Sequence, residues 1–203
     1  TVGGWFDAED LYGPLTIYKN VEKNNPDNKN NTIVMGPWSH GNWAREPGTQ
    51  MVNHIVFGDS ISTFYQKEIE TPFFEHHLKG KKNPQLPEAY MFDTGLKQWE
   101  KFAVWPPKQE QIVFGFGKNG KLLMNEKVDE KASFDYVSDP AKPVPFRSEV
   151  TPVTFTPRAY MTDDQRHASR RPDVLTFQTD ILDTDTRLAG EIQANLEVIL
   201  KDI

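Results

Sequence analysis

Two side chains in this sequence have the types and the setting for proton-transfer chemistry: Asp7, in Gly4-Trp5-Phe6-Asp7, and His40, in Gly36-Pro37-Trp38-Ser39-His40-Gly41. Each follows what reads as the C-terminal end of a strand in a parallel sheet, and open α/β folds gather reactive groups beyond such ends. Imidazole suits the part of base because its ordinary pKa, about 6.5, lets it take and return a proton at neutral pH. A buried carboxylate would fix its tautomer and stabilise the imidazolium. On spacing alone the pair also has a plainer reading, with Asp7 a helix cap and His40 a loop histidine. No nucleophile accompanies them, for Gly-x-Ser-x-Gly is absent from the chain. Ser39 adjoins His40, and adjacent side chains on extended backbone point opposite ways. Ser60, in Gly58-Asp59-Ser60-Ile61-Ser62, is expected to cap a helix. In the order Ser, Asp, His the serine would stand upstream of Thr1.

The elements that must carry these residues are visible in outline. Leu11, Tyr12, Leu15, Tyr18 and Val21 recur at helical spacing, with Asp7 and Asp10 ahead of them as a loose capping-box echo. Gly13-Pro14 weakens the first turn. A polar, turn-rich loop from Asn24 to Asn31 leads to Thr32-Ile33-Val34-Met35-Gly36, a run typical of a strand buried on both faces. Strand end, helix, loop and strand make one parallel crossover unit. Ser60 to Gly80 carries a second apolar stripe, with Pro72 predicting a kink or two consecutive helices and Gly80 a stop. Lys79 to Pro87 reads as a linker. Beyond it, Ala89 to Phe92, Gln111 to Phe116, Lys121 to Met124, Val174 to Thr179 and Ile192 to Leu200 are strand-like, with a hairpin turn at Asn119-Gly120.

Composition narrows the function classes. The 203 residues give room for one large domain or two small ones. Lys plus Arg number 23 against 29 Asp plus Glu, a net charge of -6, which argues against binding nucleic acid or an anionic membrane surface. No stretch approaches the ~18 consecutive apolar residues of a membrane span. With no cysteine, a disulfide framework, a thiolate zinc site and a cysteine nucleophile are all excluded. An aromatic share of 12% argues against disorder. The chain opens on Thr1-Val2-Gly3-Gly4-Trp5 and stops inside an alternating run, so it is expected to be a fragment of a longer protein.

Gly4-Trp5-Phe6-Asp7-Ala8-Glu9-Asp10-Leu11-Tyr12-Gly13-Pro14 and Met35-Gly36-Pro37-Trp38-Ser39-His40-Gly41 closely resemble the α-amino acid ester hydrolases. That family sits in a wider group with X-Pro dipeptidyl peptidases, cocaine esterase and glutaryl-7-aminocephalosporanic acid acylases. Phe64 to Gly80, Trp99 to Pro107 and Tyr160 to Leu175 extend the resemblance over nearly the whole chain. It implies the C-terminal part of a doubly wound α/β-hydrolase sheet over residues 1–82, with a helical cap inserted ahead of it. An all-β jelly-roll or sandwich domain over 83–203 would follow, both parts incomplete. It implies that Asp7 and His40 are the acid and base of a catalytic triad, and that Glu9 and Asp10 belong to an acidic cluster holding the α-ammonium of the substrate. The blander reading has both acids favouring a helix N-terminus.

The function expected is that of a serine hydrolase or acyltransferase on esters or amides of α-amino acids, β-lactam side chains included. An X-Pro dipeptidyl peptidase or a general carboxylesterase of the same group is the alternative. Neither metal nor cofactor is expected. The partner is a small-molecule substrate with an α-amino acyl group, and the resemblance implies a homotetramer that is secreted or periplasmic. Residues 1–203 alone are expected to be inactive, since losing a triad nucleophile costs roughly 10⁶-fold in kcat. Alone they would instead be a non-catalytic binding or interaction module. His76-His77 points in two directions on its helix, so a shared metal is not expected. His54 and His167 lack partners at ligand spacing. Trp38 and Trp43 either wall an acyl pocket or simply pack. The charged stretches Asp163 to Arg166 and Arg170 to Asp173 read as a structural ion-pair network.

Overall fold

The computed structural model describes all of residues 1–203 except 26, 28–29, 46–47, 109, 129–131, 150–157 and 202–203. Its centre is a four-stranded sheet in the order β1 (Val2–Gly4), β2 (Ile33–Gly36), β5 (Ala89–Asp93), β6 (Gln98–Phe102). The first three are parallel, and β6 returns antiparallel to β5. Helix α1 (Tyr12–Asn24) is the crossover between β1 and β2, as the sequence predicts. Between β2 and β5 lie the hairpin β3 (Thr49–Val52) and β4 (Ile55–Asp59), then a helical run through α2 (Ile61–Phe64), a π-helical stretch Tyr65–Glu70 and α3 (Thr71–Lys79).

Strand alternation builds a core on each face of the sheet. Ile33 and Met35, with Ala89 and Met91 opposite, pack against Tyr18 of α1. Val34 and its partner Tyr90 point the other way, with Phe92, into Trp38, Val52, Phe57, Ile61, Tyr65 and Ile69. All four residues of β2 are buried. An unbroken apolar run is the pattern of a strand covered on both sides.

Several elements depart from expectation for identifiable reasons. Ser60 does not cap α2: it adopts a left-handed conformation (φ 58°) with no side-chain cap bond, whereas a capping serine needs extended backbone to reach the free N–H groups. Pro72, by contrast, meets the expectation of consecutive helices. It lies at the start of α3, and the preceding turns widen into the π-helical stretch, which accommodates a residue that cannot donate to the turn behind it. Helix α1 begins at Tyr12 with no side-chain cap on Leu11: Asp7 bonds the turn ahead of it, at Glu9 and Asp10, and Asp10 accepts the Gly13 N–H in its first turn. Strands β5 and β6 pair onto the sheet that β1 and β2 begin.

Beyond Phe102 the described residues form little regular structure. The hairpin β7 (Phe114–Phe116) and β8 (Leu122–Met124) turns at Asn119-Gly120 as predicted. Gln178 makes a single bridge with Lys121, and the Phe177 ring packs on Phe116 and Phe134. The predicted strands Val174 to Thr179 and Ile192 to Leu200 do not form. Alternation supplies faces but not a ladder partner, and Ile192 and Leu200 are 88% and 90% exposed. The late segment still touches the sheet, where Arg187 pairs with Asp93 and Glu100. No helix among the described residues is long and apolar enough to cross a membrane.

The tightest point of the fold is where β1 and β2 end. A Cβ added at Gly4 would lie 2.1 Å from the main-chain oxygen of Trp38, and one at Gly36 would lie 2.2 Å from the Trp38 indole. Gly4→Ala is therefore expected to destabilise the protein by at least the ~1–3 kcal/mol typical of overpacking. Gly48→Ala, whose methyl meets nothing within 4 Å, should be near neutral. Urea midpoints of the two variants check this; equal midpoints would refute the close approach.

Candidate active site

Parallel pairing sets Gly4 beside Gly36, and the ladder continues past both strand ends. The Trp5 N–H donates to the Gly36 carbonyl at 2.9 Å and the Phe6 N–H to the Trp38 carbonyl at 3.0 Å. Side chains of this size at residues 4 and 36 would hold the two loops apart. With glycine there, Asp7 and His40 meet although 33 residues separate them: His40 Nδ1–H donates to Asp7 Oδ2 at 3.0 Å, with Oδ1 at 3.2 Å.

Asp7 is only 4% exposed. Burial by itself would raise its pKa, but the Asp10 and Glu9 backbone N–H groups, each 2.9 Å from Oδ1, and the His40 ring together hold it below the usual carboxylate value. Its carboxylate is thus both the anchor of the turn and the orienter of the imidazole. With Nδ1 committed, Nε2 is the ring atom left for chemistry, and the His40 side chain is 43% exposed. Glu9 is exposed, with Oε2 3.9 Å from His40 Nε2. Asp10 is differently placed: its Oδ1 accepts the Gly13 N–H at 2.8 Å, which ties it to the start of α1. Asp10 thus belongs to the turn, whereas Glu9 lies beside the imidazole.

Of the two tryptophans, Trp38 is fully buried in the core and walls no pocket. Trp43 is partly buried, its ring edge-on to His40 at 6.4 Å. Ser39 is buried. His76 and His77 serve local structure: His76 Nδ1–H donates to the Lys81 carbonyl at 2.7 Å, and the His77 ring packs on Phe73 at 4.4 Å. Asp163 joins separate segments, binding Arg147 and accepting from Asn53 at the tip of the β3–β4 hairpin. Asp164 and Asp173 pair with Arg166 and Arg171. Among the described residues no cluster of three or more His, Asp or Glu side chains could hold a metal.

One buried group near the site escapes sequence reasoning. Ser62 accepts the Trp38 indole N–H at 2.8 Å and donates to the Asn42 carbonyl at 3.2 Å. Its neighbour one turn on, Gln66, donates to the Trp43 carbonyl at 2.8 Å. Serine at a helix start signals a cap, and only the packed structure shows this one turned onto the His40 loop.

Comparison with known proteins places the chain among hydrolases. Residues 81–202 match the family described as the X-Pro dipeptidyl-peptidase C-terminal non-catalytic domain. The chain is 28% identical to cocaine esterase from Rhodococcus sp. (strain MB1 Bresler) over 209 aligned positions, covering 96% of this chain and 34% of that protein. An aminopeptidase structure from a marine sediment Thaumarchaeota archaeon superposes with a TM-score of 0.77 at 32% identity, over 89% of this chain and 30% of that one. An α-amino acid ester hydrolase structure gives 0.73 at 32% identity, over 87% and 30%. The chain thus spans about a third of the length of these relatives, which are hydrolases acting as esterases or peptidases. Its matched region, its sheet and its relatives place it together: the chain belongs to the X-Pro dipeptidyl-peptidase C-terminal domain family, within the hydrolase group that includes cocaine esterase and α-amino acid ester hydrolase.

Proposed function

We propose that this chain carries the acid and base of a serine hydrolase or acyltransferase that acts on esters or amides of α-amino acids. The observation that carries the reading is the Asp7–His40 pair: a buried carboxylate, fixed by two backbone N–H groups, holds Nδ1 of a half-exposed imidazole. Sheet strands with helices against both faces, and Asp7 and His40 beyond the ends of β1 and β2, support an α/β-hydrolase core in the longer protein. An incomplete all-β jelly roll would then occupy residues 83–203. The nucleophilic serine would stand upstream of Thr1.

In that scheme the serine hydroxyl attacks the acyl carbon as His40 Nε2 takes its proton. The imidazolium then returns the proton to the leaving alcohol or amine, and Asp7 stabilises the charged ring throughout. Water repeats the cycle to release the acid. Glu9 lies 3.9 Å from the ring atom that does this work, so an ammonium on the substrate α-carbon would gain a charge-assisted hydrogen bond close to the reacting centre. Asp10 would add charge while keeping one oxygen on Gly13. The match of residues 81–202 to a non-catalytic domain favours a second role for that region, as a binding or interaction module attached to the reacting part.

In the full-length protein His40→Ala should abolish turnover and leave the melting temperature close to that of the parent; normal activity would end the assignment. Glu9→Gln should raise KM for amino-acid esters by roughly tenfold or more, the worth of a hydrogen bond to a charged group, and spare esters without an amine. Asp10→Asn keeps an acceptor for Gly13 and should act more weakly. An equal rise on both ester types would make the pair structural.

The Asp7 carboxyl is held below its ordinary value of 3.8 in the folded protein. Its ionised form therefore adds stability that is present above that value and is lost as the pH falls through the lowered folded value. Asp7→Asn lacks this increment, so the stability gap between parent and variant should narrow as the pH falls from about 5 through 3.8 and on through the lowered folded value. Urea titrations across that range test it, and a gap that widened on acidification would contradict the sign.

A further inference from the structure

The loop between β2 and β3 carries His40 with little regular structure among its described residues, the 3₁₀ turn Asn42–Ala44. A loop of that kind samples many ring positions unless something outside it restrains the backbone. One hydroxyl does so from both sides. Ser62 is fully buried, in the first turn of α2, and its Oγ takes the Trp38 indole N–H and gives its own hydrogen to the Asn42 carbonyl. Trp38 and Asn42 stand two residues before and two after His40. Only a group that donates and accepts at one atom can bridge an N–H and a carbonyl in so small a space, and a serine hydroxyl is the smallest that does.

Ser62 is not isolated in this. Gln66, one turn along the same helical run, holds the Trp43 carbonyl, so the helix is stitched to the loop at three successive points. Trp38 itself is locked by Tyr65, Trp43 and Trp99, whose rings lie at 5.3, 6.2 and 5.6 Å. The restraint thus reaches from a rigid aromatic cluster, through one hydroxyl, to the backbone just past His40.

We propose that Ser62 is a positioning residue for His40: its two hydrogen bonds hold residues 38–42 so that the imidazole, oriented by Asp7 through Nδ1, presents Nε2 at a fixed place. This rests on His40 being the base. Asp7 sets the tautomer and the tilt of the ring, and Ser62 sets where the loop puts it. Misplacing a reacting group by about 1 Å can cost on the order of 10²-fold in rate, without any change in substrate binding.

The test compares Ser62→Ala with Ser60→Ala in the full-length protein, following kcat, KM, melting temperature and amide hydrogen exchange over residues 40–44. Ser62→Ala should lower kcat roughly ten- to a hundredfold with KM within about twofold, and speed exchange in the loop. Ser60, exposed and without a cap bond, should change nothing. Ser62→Cys retains a weak donor in nearly the same volume, so it should fold even where alanine does not, and recover part of kcat. An unchanged kcat in Ser62→Ala with loss of activity in His40→Ala overturns this inference alone. Full activity in His40→Ala overturns the reading beneath it. A kcat loss that only follows the unfolded fraction makes Ser62 merely structural, and also overturns the proposal.

Discussion

The arrangement of this protein depends on how closely two parallel strand ends approach each other. Gly4 and Gly36 stand side by side in register, and the main chain of Trp38 and its indole fill the space where their side chains would be. Because nothing intervenes, the hydrogen bonds continue from strand into loop, through Trp5 and Phe6, and the two loops leave the sheet as neighbours. Asp7 and His40 are two polar side chains that this approach brings together. Burying a carboxylate alone is costly, with an effective penalty of several kcal/mol per ion. Here two backbone donors and an imidazole offset it, so the interaction that orients His40 also allows Asp7 to be buried.

The rest of the sheet domain serves that junction from both sides. Tyr18 on α1 closes one face over Ile33 and Met35, and its hydroxyl hydrogen-bonds Glu88 just before β5. On the other face the helical run from Ile61 to Lys79 and the β3–β4 hairpin press Ile61, Tyr65 and Phe57 onto Val34, Trp38 and Tyr90. Trp38 is the link between core and site: its ring belongs to the aromatic cluster, its carbonyl to the junction with Phe6, and its indole N–H to Ser62. Packing and positioning are one set of contacts here, which is why the π-helical stretch matters. It carries Gln66, which holds the Trp43 carbonyl, and Ile69, which is buried in the core.

The residues after Phe102 obey a different balance. They carry exposed apolar side chains such as Ile181, Ile192 and Leu200, and ion pairs tie them to the sheet domain: Arg187 to the largely covered Asp93 and Glu100, and Glu191 to Lys19 of α1. The exposed Lys19–Glu191 pair contributes little to stability. Within the region the ring contacts of Phe177 and the β7–β8 hairpin add local order.

Much of the sheet domain was legible in the residues. The crossover of β1, α1 and β2 follows from the apolar spacing of residues 11 to 21 and the run at 32 to 36, and the stop at Gly80 and the turn at Asn119-Gly120 follow from local chemistry. Asp7 and His40 stood out by type and by their place after strands. Local pattern failed where a partner far along the chain decides the outcome. Val174 to Thr179 and Ile192 to Leu200 have the alternation of strands but no ladder to join. Ser60 has the identity of a cap but not the backbone angle, while Ser62, two residues on, spends its hydroxyl on Trp38 and Asn42. Asp10 reads as a partner of Glu9, yet one of its oxygens already belongs to Gly13. The amino-acid sequence alone determined which residues could do chemistry and which segments had the capacity to be strands or helices, because propensity and periodicity act over a few neighbours. Which of those residues meet, and which polar atoms remain free to act, was decided only when strands separated by tens of residues came into register.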